Sequence, residues 1–159
     1  MKTAYTTAAI LLLSTGLAAA APGHSGGHDE MAVGKPGDAA KATRTINVTM
    51  FENDEGEMLF RPNSFTVQEG QTVRFSILNK GELDHEFVLD EKTKNAEHRE
   101  LMMRFPEMEH DDPNAIRLEA GKCGNIVWTF SNTGTFEFAC LIPGHYESGM
   151  HGAVEVSAK

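Results

Sequence analysis

The segment FEFACLIPGHYESGMHG, residues 136–152, carries a thiol, an imidazole and a thioether at five-residue steps, as Cys140, His145 and Met150. A thiolate and two imidazole nitrogens, with a weaker thioether beyond them, form a trigonal donor set suited to copper that moves between two oxidation states. The soft sulfurs favour Cu(I) and the imidazoles accept Cu(II). Zinc also takes one Cys with two His, but a thioether is a poor zinc ligand and a suitable axial copper ligand. The second imidazole must come from elsewhere in the chain, and His85 in DHEFVLD is the candidate. A chelated thiolate also removes the need for a disulfide between Cys140 and Cys123, the one pairing that two cysteines allow.

Strand parity decides whether these groups can meet. In TFEFAC, Phe136, Phe138 and Cys140 share one face and Glu137 takes the other. In DHEFVLD, His85 shares a face with Phe87 and Leu89, opposite Asp84 and Glu86. Met150 has the parity of Val154 and Val156. Donors from three strands are therefore aimed at one end of a core, and His145 joins them from a loop in which PGH makes the turn.

The elements that must position them show a period of two. Ile46, Val48 and Met50 alternate in RTINVTMF, Phe65 and Val67 in SFTVQEG, and Val73, Phe75 and Ile77 in TVRFSIL. HEFVL, NIVWTF, TFEFAC and GAVEV follow, separated by turns rich in Gly, Asn and Asp. Trp128 falls on the face of Ile126 and Phe130 and is expected in the core. Seven or eight short strands describe an all-β fold, a Greek-key antiparallel β-sandwich. One stretch, about 92–117, breaks the pattern. Leu101 and Phe105 stand there at i,i+4 ahead of Pro106, which predicts a short helix and then a loop.

The chain of 159 residues opens with Lys2 and the run AAILLLSTGLAAAA, which reads as a secretory signal peptide over residues 1–20. The run is too short for a membrane span of about 20 residues, and no later stretch approaches one. Export places the protein in the periplasm, as a soluble monomer. Residues 21–43 lack apolar periodicity and read as a flexible His/Met-containing arm, and residues 44–159 as one domain with the 92–117 insert. The formal net charge is −9, and loss of the leader, whose one charge is Lys2, makes it one unit more negative. Such a surface repels phosphate backbones, so nucleic acid is excluded as a partner in favour of cations or a basic protein.

Two segments carry further soft donors. The arm has His24, His28 and Met31, and the insert has His98, Met102, Met103, Met108 and His110. They are candidate auxiliary ligands for additional Cu(I). The competing roles are a solvated linker for the arm and core packing for Met102 or Met103. His151, beside Met150, is either solvated or a pH-sensitive neighbour of the metal.

With NKGELDHEFVL around the first histidine and GTFEFACLIPGHYESGMHGAVEV around the other donors, the chain resembles a cupredoxin from about Arg44 to Lys159. The resemblance implies His85, Cys140 and His145 as the strong ligands of one type 1 copper, and Met150 as the axial one. It also implies that His145 lies at the surface and passes electrons to a redox protein docking there. The four-residue gaps from Cys to His and from His to Met are similar to those of rusticyanin-like proteins. The insert and arm look more like cupredoxins that bacteria export for copper tolerance. Copper tolerance is therefore the expected role, with dedicated electron transfer between respiratory proteins as the alternative. A copper oxidase or nitrite reductase would require further clustered histidines such as paired H-x-H motifs, and the sequence has none. Cys123, in AGKCGNIVW, departs from the family pattern, with no ligand expected there.

Overall fold

The alternating runs become strands of a two-sheet sandwich in the computed structural model, which describes residues 31–106 and 112–159. In chain order the elements are β1 (Lys35–Pro36), a 3-10 turn (Ala39–Lys41), β2 (Arg44–Glu52), β3 (Met58–Arg61), β4 (Ser64–Gln68), β5 (Thr72–Asn79) and β6 (His85–Asp90). Then come α1 (Lys92–Arg104), β7 (Ala115–Leu118), β8 (Cys123–Thr129), β9 (Gly134–Ala139) and β10 (His151–Ser157). One sheet runs β1-β8-β5-β2-β3 and the other β4-β10-β9-β6-β7.

Both sheets are mixed, whereas the pattern predicts purely antiparallel pairing. β2 lies parallel to β5, with Met50 opposite Asn79, and β4 lies parallel to β10. Alternation reports which face of a strand is buried and carries no information on the direction of its neighbour. β1, β3 and β7 also exceed the expected strands. They are two to four residues long, too short for alternation to stand out.

The inward faces are as parity predicts. Ile46, Val48, Met50, Phe65, Val67, Val73, Phe75, Ile77, Phe87 and Leu89 are all buried in one core. Aromatic rings dominate its centre: Phe138 stacks on Phe65 and Phe87 at centroid distances of 5.2 and 5.3 Å. Trp128 is fully buried, and its indole N–H donates to the Val33 carbonyl at 3.2 Å. That bond alters the reading of the arm. From Met31 onward it lies on the sandwich, with Val33 buried and β1 paired to β8. A segment without periodicity can still be ordered when a neighbouring sheet edge supplies its hydrogen bonds.

α1 ends at Arg104, ahead of Pro106. The residues it buries are Asn95 and Met102, while Leu101 and Phe105 are exposed. An i,i+4 apolar pair thus identified the helix but not the face it packs. Met102 joins Val88, Ala139 and Leu141 in a second, smaller core on the outer face of β6 and β9. That layer also explains why Glu137, on the face opposite the main core, is nonetheless buried. Its carboxylate accepts hydrogen bonds from Asn95 Nδ2 at 3.2 Å and Tyr146 Oη at 3.0 Å.

Met102 is therefore packing. Met102→Ala is expected to lower metal-free stability by about 2–5 kcal/mol, and Met102→Leu by less than about 1.5 kcal/mol. The exposed Met103 should change it by no more than about 0.5 kcal/mol on replacement by Ala. Urea unfolding midpoints of the three variants measure this, and equal effects at 102 and 103 would contradict the packing assignment.

Candidate metal centre

His85 opens β6, Cys140 follows the last residue of β9, and Met150 precedes β10. The loop between Cys140 and Met150 is tied at its base. Cys140 N–H donates to the Met150 carbonyl at 3.0 Å, and Met150 N–H donates to the His145 carbonyl at 3.1 Å. Gly144 has φ of +89°, a conformation that side-chain-bearing residues rarely adopt, and it turns the chain so that His145 N–H reaches the Ile142 carbonyl at 3.0 Å. The sequence PGH performs the turn expected of it.

The result is a convergence of donors. His85 Nδ1 and His145 Nδ1 lie 3.1 Å apart, and Cys140 Sγ lies 3.4 Å from His145 Nδ1. One ligand atom from each of the three residues falls within 4.8 Å of the others. His85, Cys140 and Met150 are fully buried. His145, expected at the surface, is instead buried at 8 % exposure; the exposed residues are Pro143 and Gly144 of the turn before it. The Glu86 N–H points at Cys140 Sγ from 3.3 Å, a donor that stabilises a thiolate.

Without metal this cluster carries no charge at neutral pH. Burial pushes the Cys140 thiol up to about 12, against the partial opposition of the Glu86 and Ile142 N–H groups. Burial likewise lowers His85, against the attraction of Glu52. His145 is lowered by burial and then by the neighbouring His85. Two neutral imidazoles and a thiol are what an apolar interior tolerates, and a metal ion that displaces the thiol proton converts them into a ligand set. The donor types and their convergence fit copper.

Other expected residues fall elsewhere. Met31 and His98 line one cavity of about 240 Å³ together with Asp90 and Asp112. Met102 is packed and Met103 exposed. His24, His28, Met108 and His110 lie outside the described residues. The His151 ring stacks on Tyr146, with centroids 4.6 Å apart. Cys123 is an exposed free thiol in β8, on the opposite sheet from Cys140, and both cysteines are free.

Sequence reading missed the residues that hold His85. Glu52 Oε1 lies 2.9 Å from His85 Nε2, and the Asn79 amide pins the loop before His85 by donating to the Leu83 carbonyl at 2.7 Å. A signal was present. Glu52 continues the inward parity of Ile46, Val48 and Met50, and Asn79 that of Val73, Phe75 and Ile77. A polar residue on an inward position at a strand end marks a group that needs a buried partner.

The protonation states have a measurable consequence. Below about pH 12 the metal-free thiol holds its proton, so copper(II) uptake at pH 7 to 8 is expected to release one proton and to tighten about tenfold per pH unit. Calorimetric titration in buffers of differing ionisation enthalpy counts the proton. Cys140→Ser should release none, and release of none by the wild type would contradict thiolate ligation.

Over residues 47–157 the chain matches the family described as copper binding proteins, plastocyanin/azurin family. It is 48 % identical over 136 residues to the copper-resistant cuproprotein CopI of Rubrivivax gelatinosus, covering 84 % of this chain and 80 % of the relative. It is 36 % identical to CopI of Pseudomonas aeruginosa, with 87 % of each chain covered. Among solved structures, an auracyanin from Roseiflexus castenholzii superposes with a TM-score of 0.62 at 26 % identity, over 73 % of this chain and 98 % of that one. A multicopper oxidase aligns with a TM-score of 0.54 at 20 % identity over 39 % of its length, a likeness of fold. The mixed sandwich, the buried Cys and His donors and these matches agree: the chain belongs to the plastocyanin/azurin family of copper-binding proteins, the cupredoxins, and is related to the copper-resistance cuproproteins.

Proposed function

We propose that this protein is an exported, periplasmic cupredoxin that serves copper tolerance. One type 1 copper would be held by His85, Cys140 and His145, with Met150 offering a weaker thioether ligand. The observation that carries this reading is the buried meeting of His85 Nδ1, His145 Nδ1 and Cys140 Sγ within 4.8 Å of one another. The names of the CopI relatives support tolerance as the setting. No helix among the described residues is long and apolar enough to cross a membrane.

Bound copper would supply a one-electron couple between Cu(II) and Cu(I). The chain does the rest. Two packed sheets hold the donors in place, so little rearrangement accompanies electron movement, and the Glu86 N–H stabilises the thiolate of Cys140. The exposed turn of Pro143 and Gly144 next to His145 is the route to a redox partner. Met31 and His98, brought to one cavity from the arm and the insert, support auxiliary copper capacity there.

A dedicated electron carrier is the second reading. Leu83, 46 % exposed on the loop that leads into His85, favours it by placing apolar surface beside the site. The two differ in capacity, since a carrier holds one copper and is indifferent to Met31 and His98.

Copper(II) added to the metal-free protein is expected to give intense thiolate–copper absorption in the visible, absent in Cys140→Ser. A protein that stays colourless under oxidising conditions would refute the site. In a deletion strain, wild type should restore growth on copper and Cys140→Ser should not. Replacement of both Met31 and His98 should rescue only in part. Equal rescue by all three would remove the tolerance role.

A further inference from the structure

We propose that Glu52 is a positioning residue for the copper centre: its carboxylate holds the His85 ring with Nδ1 presented to the metal, and its charge weights the site toward Cu(II). The inference rests on the type 1 copper reading above.

The His85 ring is fully buried and its two nitrogens have different neighbours. Nδ1 lies 3.1 Å from His145 Nδ1, and Nε2 lies 2.9 Å from Glu52 Oε1. A neutral imidazole has a single N–H. A carboxylate accepts and does not donate, so it draws that hydrogen to Nε2 and leaves the Nδ1 lone pair facing the other donors. A backbone carbonyl in its place would select the same tautomer. The carboxylate adds a full negative charge, which makes the imidazole a stronger donor and favours the more highly charged copper ion.

The carboxylate is itself built in. Its Oε2 accepts the Glu82 N–H at 2.9 Å, and Oε1 accepts the Leu83 N–H at 3.1 Å beside the His85 bond. Gly81 makes room for it: a Cβ at that position would collide with the Glu52 carboxylate. Asn79 fixes the loop, its Oδ1 accepting the Gly81 N–H at 2.9 Å and its Nδ2 donating to the Leu83 and Leu118 carbonyls. Glu52 thus reaches His85 from the end of β2, in the opposite sheet, through a loop shaped around its carboxylate.

The test separates charge from shape. Glu52→Gln keeps the side-chain length and an acceptor oxygen but removes the charge. It is expected to retain the visible band, to weaken Cu(II) binding by about 10–100-fold and to weaken Cu(I) binding less. Each tenfold change in that ratio raises the reduction potential by about 59 mV. Gly81→Ala, which leaves Glu52 intact but displaces it, should shift the potential in the same direction and keeps the test decisive if Glu52→Gln does not fold. Glu55→Gln removes an exposed charge on the nearby turn and should leave the ratio unchanged.

In the metal-free protein, long-range proton–nitrogen NMR spectra should find His85 as the Nε2–H tautomer, and Glu52→Leu should lose that preference. An unchanged Cu(II)/Cu(I) ratio in both Glu52→Gln and Gly81→Ala, or an Nδ1–H tautomer in the wild type, would overturn the role of Glu52 while leaving the copper reading intact. A wild type without thiolate–copper absorption would overturn both.

Discussion

Three candidate metal donors, His85, Cys140 and His145, stand within 4.8 Å of one another where burial disfavours a charge on any of them. The protein meets that constraint with neutral groups. Burial keeps the proton on Cys140 and keeps protons off the extra nitrogens of His85 and His145. The cluster is then compatible with the surrounding aromatic core, and a charge would appear there only when a metal ion displaced the thiol proton. Neutral donors attract one another weakly, so their proximity has to be imposed by the backbone.

The backbone imposes it from both faces of one sheet. On the inner side, Phe60, Phe65, Phe75, Phe87 and Phe138 interlock between the sheets and set the position of β6 and β9, from which His85 and Cys140 emerge. On the outer side, α1 covers the same two strands through Met102. The helix also reaches the ligand loop. The Arg99 guanidinium lies 4.2 Å from the ring centroid of Tyr146, the residue after His145, which bonds to Glu137 and stacks on His151, the residue after Met150. An insertion between two strands thereby becomes part of the scaffold that holds the loop from Cys140 to Met150. Its Met and His residues divide accordingly, with Met102 inside and His98 at a cavity shared with the arm.

How much of this was legible depended on the range of the interaction. The Cys140, His145 and Met150 spacing is local, and a loop closed by a few backbone hydrogen bonds can be read from a short string. Inward parity was legible for the same reason, because each strand carries its own record of which face meets the core. Strand direction was not legible, and the parallel pairs β2 with β5 and β4 with β10 had to be seen. Leu101 and Phe105 marked the helix α1 but not the face it packs, since the surface it packs on is assembled from β6 and β9. The order of residues 31–43 was missed because its hydrogen bonds are supplied by β8 and Trp128.

The sequence by itself determined the donor types, the copper chemistry they favour and the sandwich that carries them, since these follow from side-chain identity and from periodicities within single strands. Tertiary structure alone decided the environment of the donors. It brought Glu52 from β2 to His85 Nε2, buried Glu137 beneath a helix, and set Met31 and His98 on one cavity. Each of those meetings joins residues far apart in the chain, and a long-range contact leaves no mark on the local pattern of either partner beyond a polar residue standing where an apolar one is expected.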